Sequence, residues 1–153
     1  MFCNVVHAQI TIDPVNYGQF ILNMAWDRLF LDLPQHWGDT PGSHYSMTDR
    51  ERQVGQEIFD ILHRATASGV QPEIIPGNDP RLRLNPGEEP RTAVTGSSIG
   101  SPIYFNADKV NDLEKFSYSA AISMLIHELG HKRRRHLNIS QLEVDSFAAM
   151  IED

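Results

Sequence analysis

Two histidines four residues apart, His127 and His131, enclose a segment that begins with Glu128. On an α-helix, side chains four residues apart lie above one another on one face, so both imidazoles can reach one metal ion. Zinc held by imidazoles keeps an open position for water, and a glutamate directly after the first ligand can take that water's proton. The spacing therefore predicts a Zn²⁺ site for hydrolysis of a peptide bond, with Glu128 as general base.

The predicted metal-binding segment lies at the polar end of an apolar run, residues 119–126, which is typical of a buried helix. Gly130 removes side-chain bulk next to the second histidine. Either Ser117 or Ser119 can cap the start of this helix. We expect the helix to end late in the basic cluster 132–135, whose charges would complement the negative C-terminal end of the helix.

A catalytic zinc needs a third protein ligand, and the predicted final helix, residues 141–151, carries the nearest carboxylates. Glu143 is the favoured ligand, because a carboxylate binds zinc far better than an amide. Three alternatives stay open: Gln141, Asp145 and His136. Asp145 is better suited to accept the N–H of a ligand histidine. A capping box between Ser140 and Glu143 would instead give Glu143 a purely structural role.

The run from His127 to Phe147 resembles the gluzincin metallopeptidases, in which H-E-x-x-H is followed by a second helix that supplies a ligating glutamate. Segment 141–148 is most similar to compact members with an E-x-E-A-D-x-F-A pattern. These include membrane-associated heat-shock and prenyl-protein endopeptidases, and small peptidases that cleave repressors. The resemblance implies a zincin-like fold and peptide or protein substrates. In that pattern the ligating glutamate commonly stands four residues before the aspartate, where this chain has Gln141.

Peptide hydrolysis also needs a hydrogen-bond donor that stabilises the oxyanion, and three side chains are candidates for it. They are Tyr104, Tyr118 and His136. A strand over residues 103–106 is predicted shortly before the metal-binding helix. As an edge strand beside the site it could pair with an extended peptide substrate. The alternative is that this strand only contributes side chains to the core.

The elements that position these residues follow from hydrophobic spacing and turn chemistry. We expect a strand over 9–12, a helix from Pro14 to Leu33, an irregular loop over 35–46 and a capped helix over 48–68. Short strands between tight turns follow at 73–75, 81–84, 91–95 and 103–105. They predict a small, mainly antiparallel sheet. The chain, 1–153, is therefore expected to form one α+β domain, with an active-site helix and a following ligand helix.

Length and composition fit this expectation: 153 residues, 41% apolar and 22% charged, suit one globular domain with a sizeable core. The net charge of -7 argues against a nucleic-acid partner, and no stretch approaches the roughly 20 apolar residues that span a bilayer. A single cysteine, Cys3, excludes an internal disulfide, and one hypothesis is that it ligates and blocks the zinc. Residues 1–8 resemble the tail of a signal peptide, which favours export, and a cytosolic location stays open as the alternative.

Two interpretations from other functional classes stay open. A zinc-bearing domain without turnover, acting as a sensor or interaction module, would account for Gln141 at the position of the usual ligand. A metal-free helical scaffold would make the H-E-x-x-H string accidental. Metal content separates the scaffold from the other two. A protease assay with Glu128→Gln then separates an enzyme from a module.

Overall fold

A computed structural model gives the fold of residues 17–36, 48–132 and 139–152, with only the backbone described for residues 32–36 and 152. The predictions for Cys3, residues 1–8, the strand over 9–12 and His136 lie outside these ranges. The same holds for most of the predicted loop and for the last three residues of the basic cluster.

Within the described ranges the chain forms five α-helices and three strands, so the α+β class is confirmed. The helices are α1 (Tyr17–His36), α2 (Asp49–Ala67), α3 (Ala107–Val110), α4 (Tyr118–His131) and α5 (Gln141–Glu152). The strands are β1 (Pro72–Ile75), β2 (Ala93–Thr95) and β3 (Ile103–Asn106). Helix α1 extends to His36, beyond the end that Leu33-Pro34 predicted. None of these helices is long and apolar enough to cross a membrane.

The sheet is mixed, which corrects the prediction of a mainly antiparallel sheet. Its strand order is β1-β3-β2, with β1 parallel to β3 and β2 antiparallel to β3. The prediction that β3 is an edge strand is also wrong, because β3 is the central strand and β1 and β2 form the edges. Tight turns favour antiparallel neighbours, and β2 and β3 form such a pair. Strand β1 pairs with β3 rather than with β2, the next strand in the chain, and this pair is parallel.

The predicted strand over 81–84 is a 3-10 turn, Pro80–Leu82. Asp79 caps it, because its Oδ1 accepts a hydrogen bond from the Arg81 backbone N–H at 2.9 Å. Proline at the first helical position fixes a backbone angle that suits a helical turn. Leu82 is buried, so the alternation of apolar residues marked a contact with the core rather than a strand.

Helix α2 follows the sequence closely. Thr48 Oγ1 accepts from the Glu51 N–H at 3.1 Å, and Glu51 Oε1 accepts from the Thr48 N–H at 2.8 Å, which completes the predicted capping box. The predicted apolar stripe is buried and comprises Val54, Ile58, Ile61, Leu62 and Ala65. The stripe packs α2 into the common core, and the first turn of α2 reaches α5.

Helix α4 begins where the sequence predicts, because the Ser117 side chain accepts from the Ala120 N–H at 3.1 Å. It ends at His131, earlier than the expected end in the basic cluster. Its closest neighbour is α5, and Gly130 permits that approach. A Cβ at Gly130 would lie 2.6 Å from Val144 Cγ1 and 3.2 Å from the Gln141 amide nitrogen. The two helices therefore meet beside the second histidine.

Candidate metal centre

His127 and His131 point their rings at a common point from the last turn of α4. The Nε2 atoms of the two histidines are 3.1 Å apart. Two nitrogens bound to one tetrahedral zinc, each at about 2.0–2.1 Å, would lie roughly 3.3 Å from each other. Among the described residues, His127, Glu128 and His131 form the group whose ligand atoms could hold a metal ion. The pair of imidazoles could therefore hold a metal ion, and the same distance also allows a hydrogen bond between the two rings.

Asp145 supports the first of these histidines from α5. Its Oδ1 lies 2.6 Å from His127 Nδ1, on the side of the ring away from His131. A carboxylate at this position favours the tautomer in which Nδ1 carries the proton and donates it. The lone pair of His127 is then on Nε2, facing His131. The structure thus places Asp145 where the sequence suggested, as the acceptor for an imidazole N–H.

Gln141 lies one helical turn before Asp145 on the same side of α5. Its amide nitrogen donates to Asp145 Oδ1 at 3.0 Å, and it lies 3.4 Å from the His127 carbonyl oxygen. The amide therefore helps to orient the carboxylate that orients the histidine. The sequence treated Gln141 only as an alternative ligand. The signal for a supporting role was its four-residue spacing from Asp145.

Glu143, the favoured third ligand, is not in the group that the structure forms from His127, Glu128 and His131. Arg50, in the first turn of α2, donates to both carboxylate oxygens of Glu143, at 2.8 Å from Nη2 to Oε1. The Ser140 backbone N–H donates to Oε1 at 3.1 Å, which forms the alternative capping box. The Arg50 hydrogen bonds, assisted by Ser140, lower the pKa of Glu143 to about 2. The carboxylate is thus an exposed helix cap and ion pair.

Glu128 is an unusual carboxylate, because its side chain is only 5% exposed. Its Oε2 atom is buried and has no hydrogen-bond partner among the described residues. Burial raises the pKa of Glu128 to about 7, against the opposing effects of His127, Arg91 and Lys132. A carboxyl held near neutral pKa beside two imidazoles is suited to accept and release a proton.

A surface cleft with a volume of about 360 Å³ opens beside Glu128 and His127. Strand β2, the residue before it, α4 and α5 form its walls. The lining residues are Thr92, Ala93, Ser123, Met124, His127, Glu128, Asp145 and Ala148. Small side chains at several of these positions leave room for part of a substrate next to the two ionisable groups.

Of the candidate oxyanion donors, Tyr104 and Tyr118 do not line this cleft, and His136 lies outside the described residues. Tyr104 lies opposite Val94 in the β2–β3 pairing, whereas the buried neighbour Phe105 lies opposite Ala93, which lines the cleft. Successive strand residues point to opposite faces, so Tyr104 projects away from the site, and the Arg81 guanidinium lies 4.4 Å from its ring centroid. Tyr118 begins α4, nine residues and about 13 Å of helix before His127.

Lys132 was expected, with the rest of the basic cluster, to complement the negative end of the helix, but its ammonium group lies elsewhere. Its side chain is only 1% exposed, and Nζ donates to the carbonyl oxygens of Ser98, at 3.1 Å, and Ser101. Burial lowers the pKa of Lys132 to about 8, an effect that Glu128 partly offsets. A lysine in a basic cluster gives no sequence signal for burial, because lysines are almost always exposed.

Comparisons with protein-family models, with curated proteins and with solved structures find no match to this chain. The arrangement of the residues themselves is therefore the basis for any functional conclusion.

Proposed function

We propose that the protein is a zinc-dependent peptidase that hydrolyses bonds in peptide or protein substrates. One observation carries the proposal: His127 Nε2 and His131 Nε2 lie 3.1 Å apart, and Glu128 belongs to the same group. Two imidazoles and an adjacent carboxylate on one helix are the arrangement that H-E-x-x-H metallopeptidases use. The resemblance to gluzincins, which implies a zincin-like fold, belongs to the same proposal.

Each residue of the centre has a separate role in this reaction. His127 and His131 would hold the ion, and Asp145 fixes the orientation of the His127 ring. Zinc bound there would polarise the substrate carbonyl and lower the pKa of a water molecule. Glu128 accepts the proton of the attacking water and passes it to the nitrogen of the departing amine. Burial of Glu128 keeps bulk water from competing for that proton.

The edge of the sheet supports a peptide as the substrate. Among the described strands, β2 pairs only with β3, and Ala93 of β2 lines the cleft beside Glu128. An extended peptide can add to such an edge through main-chain hydrogen bonds, which would bring one of its carbonyls towards the histidines. The substrate-pairing role expected for the strand over 103–106 thus passes to β2.

A second candidate is a zinc-binding domain of the same fold without turnover, which acts as a sensor or interaction module. Gln141 favours this candidate. It stands where gluzincins commonly carry the ligating glutamate, and its amide contacts His127 and Asp145 instead. With Glu143 bound to Arg50, the described part of α5 supplies no carboxylate to the ion other than Asp145, which already binds His127.

The two candidates differ in one experiment. The wild type, Glu128→Gln and the matched control Glu114→Gln, which changes an exposed carboxylate, are purified and their zinc content is measured. Each is then incubated with a broad peptide library, and the products are identified by mass spectrometry. We expect about one zinc per chain in all three proteins. We expect Glu128→Gln alone to lose at least about 100-fold in the rate of cleavage, the usual contribution of a general base.

Three outcomes would change this conclusion. Wild-type protein without stoichiometric zinc would refute both the peptidase and the zinc-bearing module. Cleavage that survives in Glu128→Gln would remove Glu128 as the base. Stoichiometric zinc without cleavage of any peptide would favour the module over the enzyme.

A further inference from the structure

Lys132 is a cation enclosed by protein at the end of the metal-binding helix. It immediately follows His131 and is 1% exposed. Burying an ammonium group is costly unless it is fully hydrogen-bonded, so a lysine in this position needs specific partners. Glu128 lies one helical turn earlier on the same face, and its negative charge favours the ammonium form of Lys132.

The described hydrogen-bond partners of Lys132 are backbone carbonyls in the connection between β2 and β3, residues 96–102. Nζ donates to the Ser98 oxygen at 3.1 Å and to the Ser101 oxygen. Backbone carbonyls are fixed to the chain, so these two hydrogen bonds join the connection itself to α4. A hydrogen bond with a charged donor contributes more stability than a neutral one.

Within the part of the chain that the structure describes, the other hydrogen bonds of this connection are internal. Ser98 Oγ lies 2.6 Å from Ser101 Oγ, the Ser101 N–H donates to the Ser98 carbonyl at 3.2 Å, and Thr95 Oγ1 donates to the Pro102 carbonyl at 2.9 Å. They shape the connection, and Ile99 within it packs against the core. Among the described hydrogen bonds, those of Lys132 join the connection to α4. The connection continues directly from β2, whose residue Ala93 forms a wall of the cleft.

We propose that Lys132 is a positioning residue that holds the β2–β3 connection, and with it the β2 wall of the cleft, against the helix that carries His127, Glu128 and His131. For catalysis this inference rests on the proposed peptidase function, because β2 is the edge that would align a peptide. Lys132 does not touch the substrate. It fixes the distance between the strand that binds the peptide and the groups that cleave it.

Lys132→Met tests the proposal, because methionine keeps an unbranched apolar stem and removes the donor. Lys115→Met, at an exposed lysine, is the matched control. We expect amide hydrogen exchange in residues 95–102 to accelerate at least about tenfold, since the lost bonds join a charged donor to that segment. Exchange in the middle of α4 and the zinc affinity should stay at wild-type values. With a peptide substrate, KM should rise while kcat changes little.

Two further variants keep the test decisive. Lys132→Arg restores donors at this position and should return the exchange of residues 95–102 towards the wild-type rate. Lys132→Gln is too short to reach both carbonyls and should behave like Lys132→Met, which covers the case in which methionine prevents folding.

Wild-type exchange of residues 95–102 in both Lys132→Met and Lys132→Gln would overturn the proposal. Equal acceleration throughout α4 and the sheet would also overturn it, because Lys132 would then support the fold as a whole. The exchange and zinc measurements do not depend on turnover. A wild-type protein that cleaves no peptide would therefore refute the proposed function, while the exchange data would still decide the role of Lys132.

Discussion

Replacing Asp145 by alanine removes the carboxylate that lies 2.6 Å from His127 Nδ1. Loss of such a partner typically weakens metal binding by about 10- to 100-fold, or roughly 1.4–2.7 kcal/mol. The short distance favours the upper part of this range. The partial exposure of His127 and Asp145, 42% and 44%, favours the lower part, because water can replace the acceptor. We therefore expect Asp145→Ala to weaken zinc binding by about 10- to 30-fold.

Asp145→Asn should have a smaller effect, since an amide oxygen can still accept from Nδ1 but without the charge. Charge-assisted hydrogen bonds are about twice as strong as neutral ones, so a loss of about three- to fivefold is expected. Zinc affinity is measured by competition with a chromophoric chelator at a pH where the histidines are neutral. Asp60→Asn on α2 is the control, because it removes a carboxylate whose pair with Arg64 is exposed and loose, at 3.8 Å.

The histidine tautomer gives a second measurement on the same variants. In the metal-free wild type, nitrogen chemical shifts should show the proton of neutral His127 on Nδ1, and Asp145→Ala should shift the population towards Nε2. An Asp145→Ala variant that binds zinc as tightly as the wild type would refute the reasoning, provided that its circular dichroism is unchanged. The contact would then be a consequence of helix packing without influence on the metal.

Two other predictions concern the third ligand and the buried base. Glu143→Ala should leave zinc affinity unchanged in the same chelator assay and slightly lower the urea midpoint, because Glu143 caps α5 and binds Arg50. A clear loss of zinc affinity in Glu143→Ala would restore Glu143 as the ligand. For metal-free protein, the pKa of Glu128 rises from 4.5 to about 7 on folding, so the folded state binds more protons than the unfolded chain between these values. The unfolding free energy of the wild type should therefore fall by roughly 1–3 kcal/mol as pH rises through that window. Glu128→Gln should lose most of this pH dependence. Urea denaturation at pH 5 and pH 7.5 measures both.

Local features of the fold were predictable because their causes are local. The box between Thr48 and Glu51 and the apolar stripe of α2 depend on residues within a few positions of each other. Sheet pairing was not predictable in the same way. Residues Pro72 and Ile103 become neighbours across 30 intervening positions, and nothing in either short strand specifies a parallel partner. The predicted strand over 81–84 was wrong because the cap at Asp79 outweighs the alternation of apolar and charged residues in that segment.

The candidate site likewise combines features that the sequence predicts with features that depend on tertiary packing, as α5 shows. At about 100° per residue, Gln141 and Asp145 lie roughly 40° apart, while Glu143 lies about 160° from both. Buried Val144 and Phe147 mark the centre of the core-facing side, so the helix carries two polar flanks. This much follows from the sequence.

Which flank meets α4 and which meets α2 depends on how three helices pack. The structure gives the Gln141 flank to His127 and the Glu143 flank to Arg50. A choice of ligand from chemical preference alone selects the carboxylate, because carboxylates bind zinc more strongly than amides. Helix geometry instead selects the side chains on the flank of Asp145, because one flank of α5 cannot contact both α4 and α2. Which polar side chains of α5 lie beside the histidines is therefore fixed by tertiary contacts.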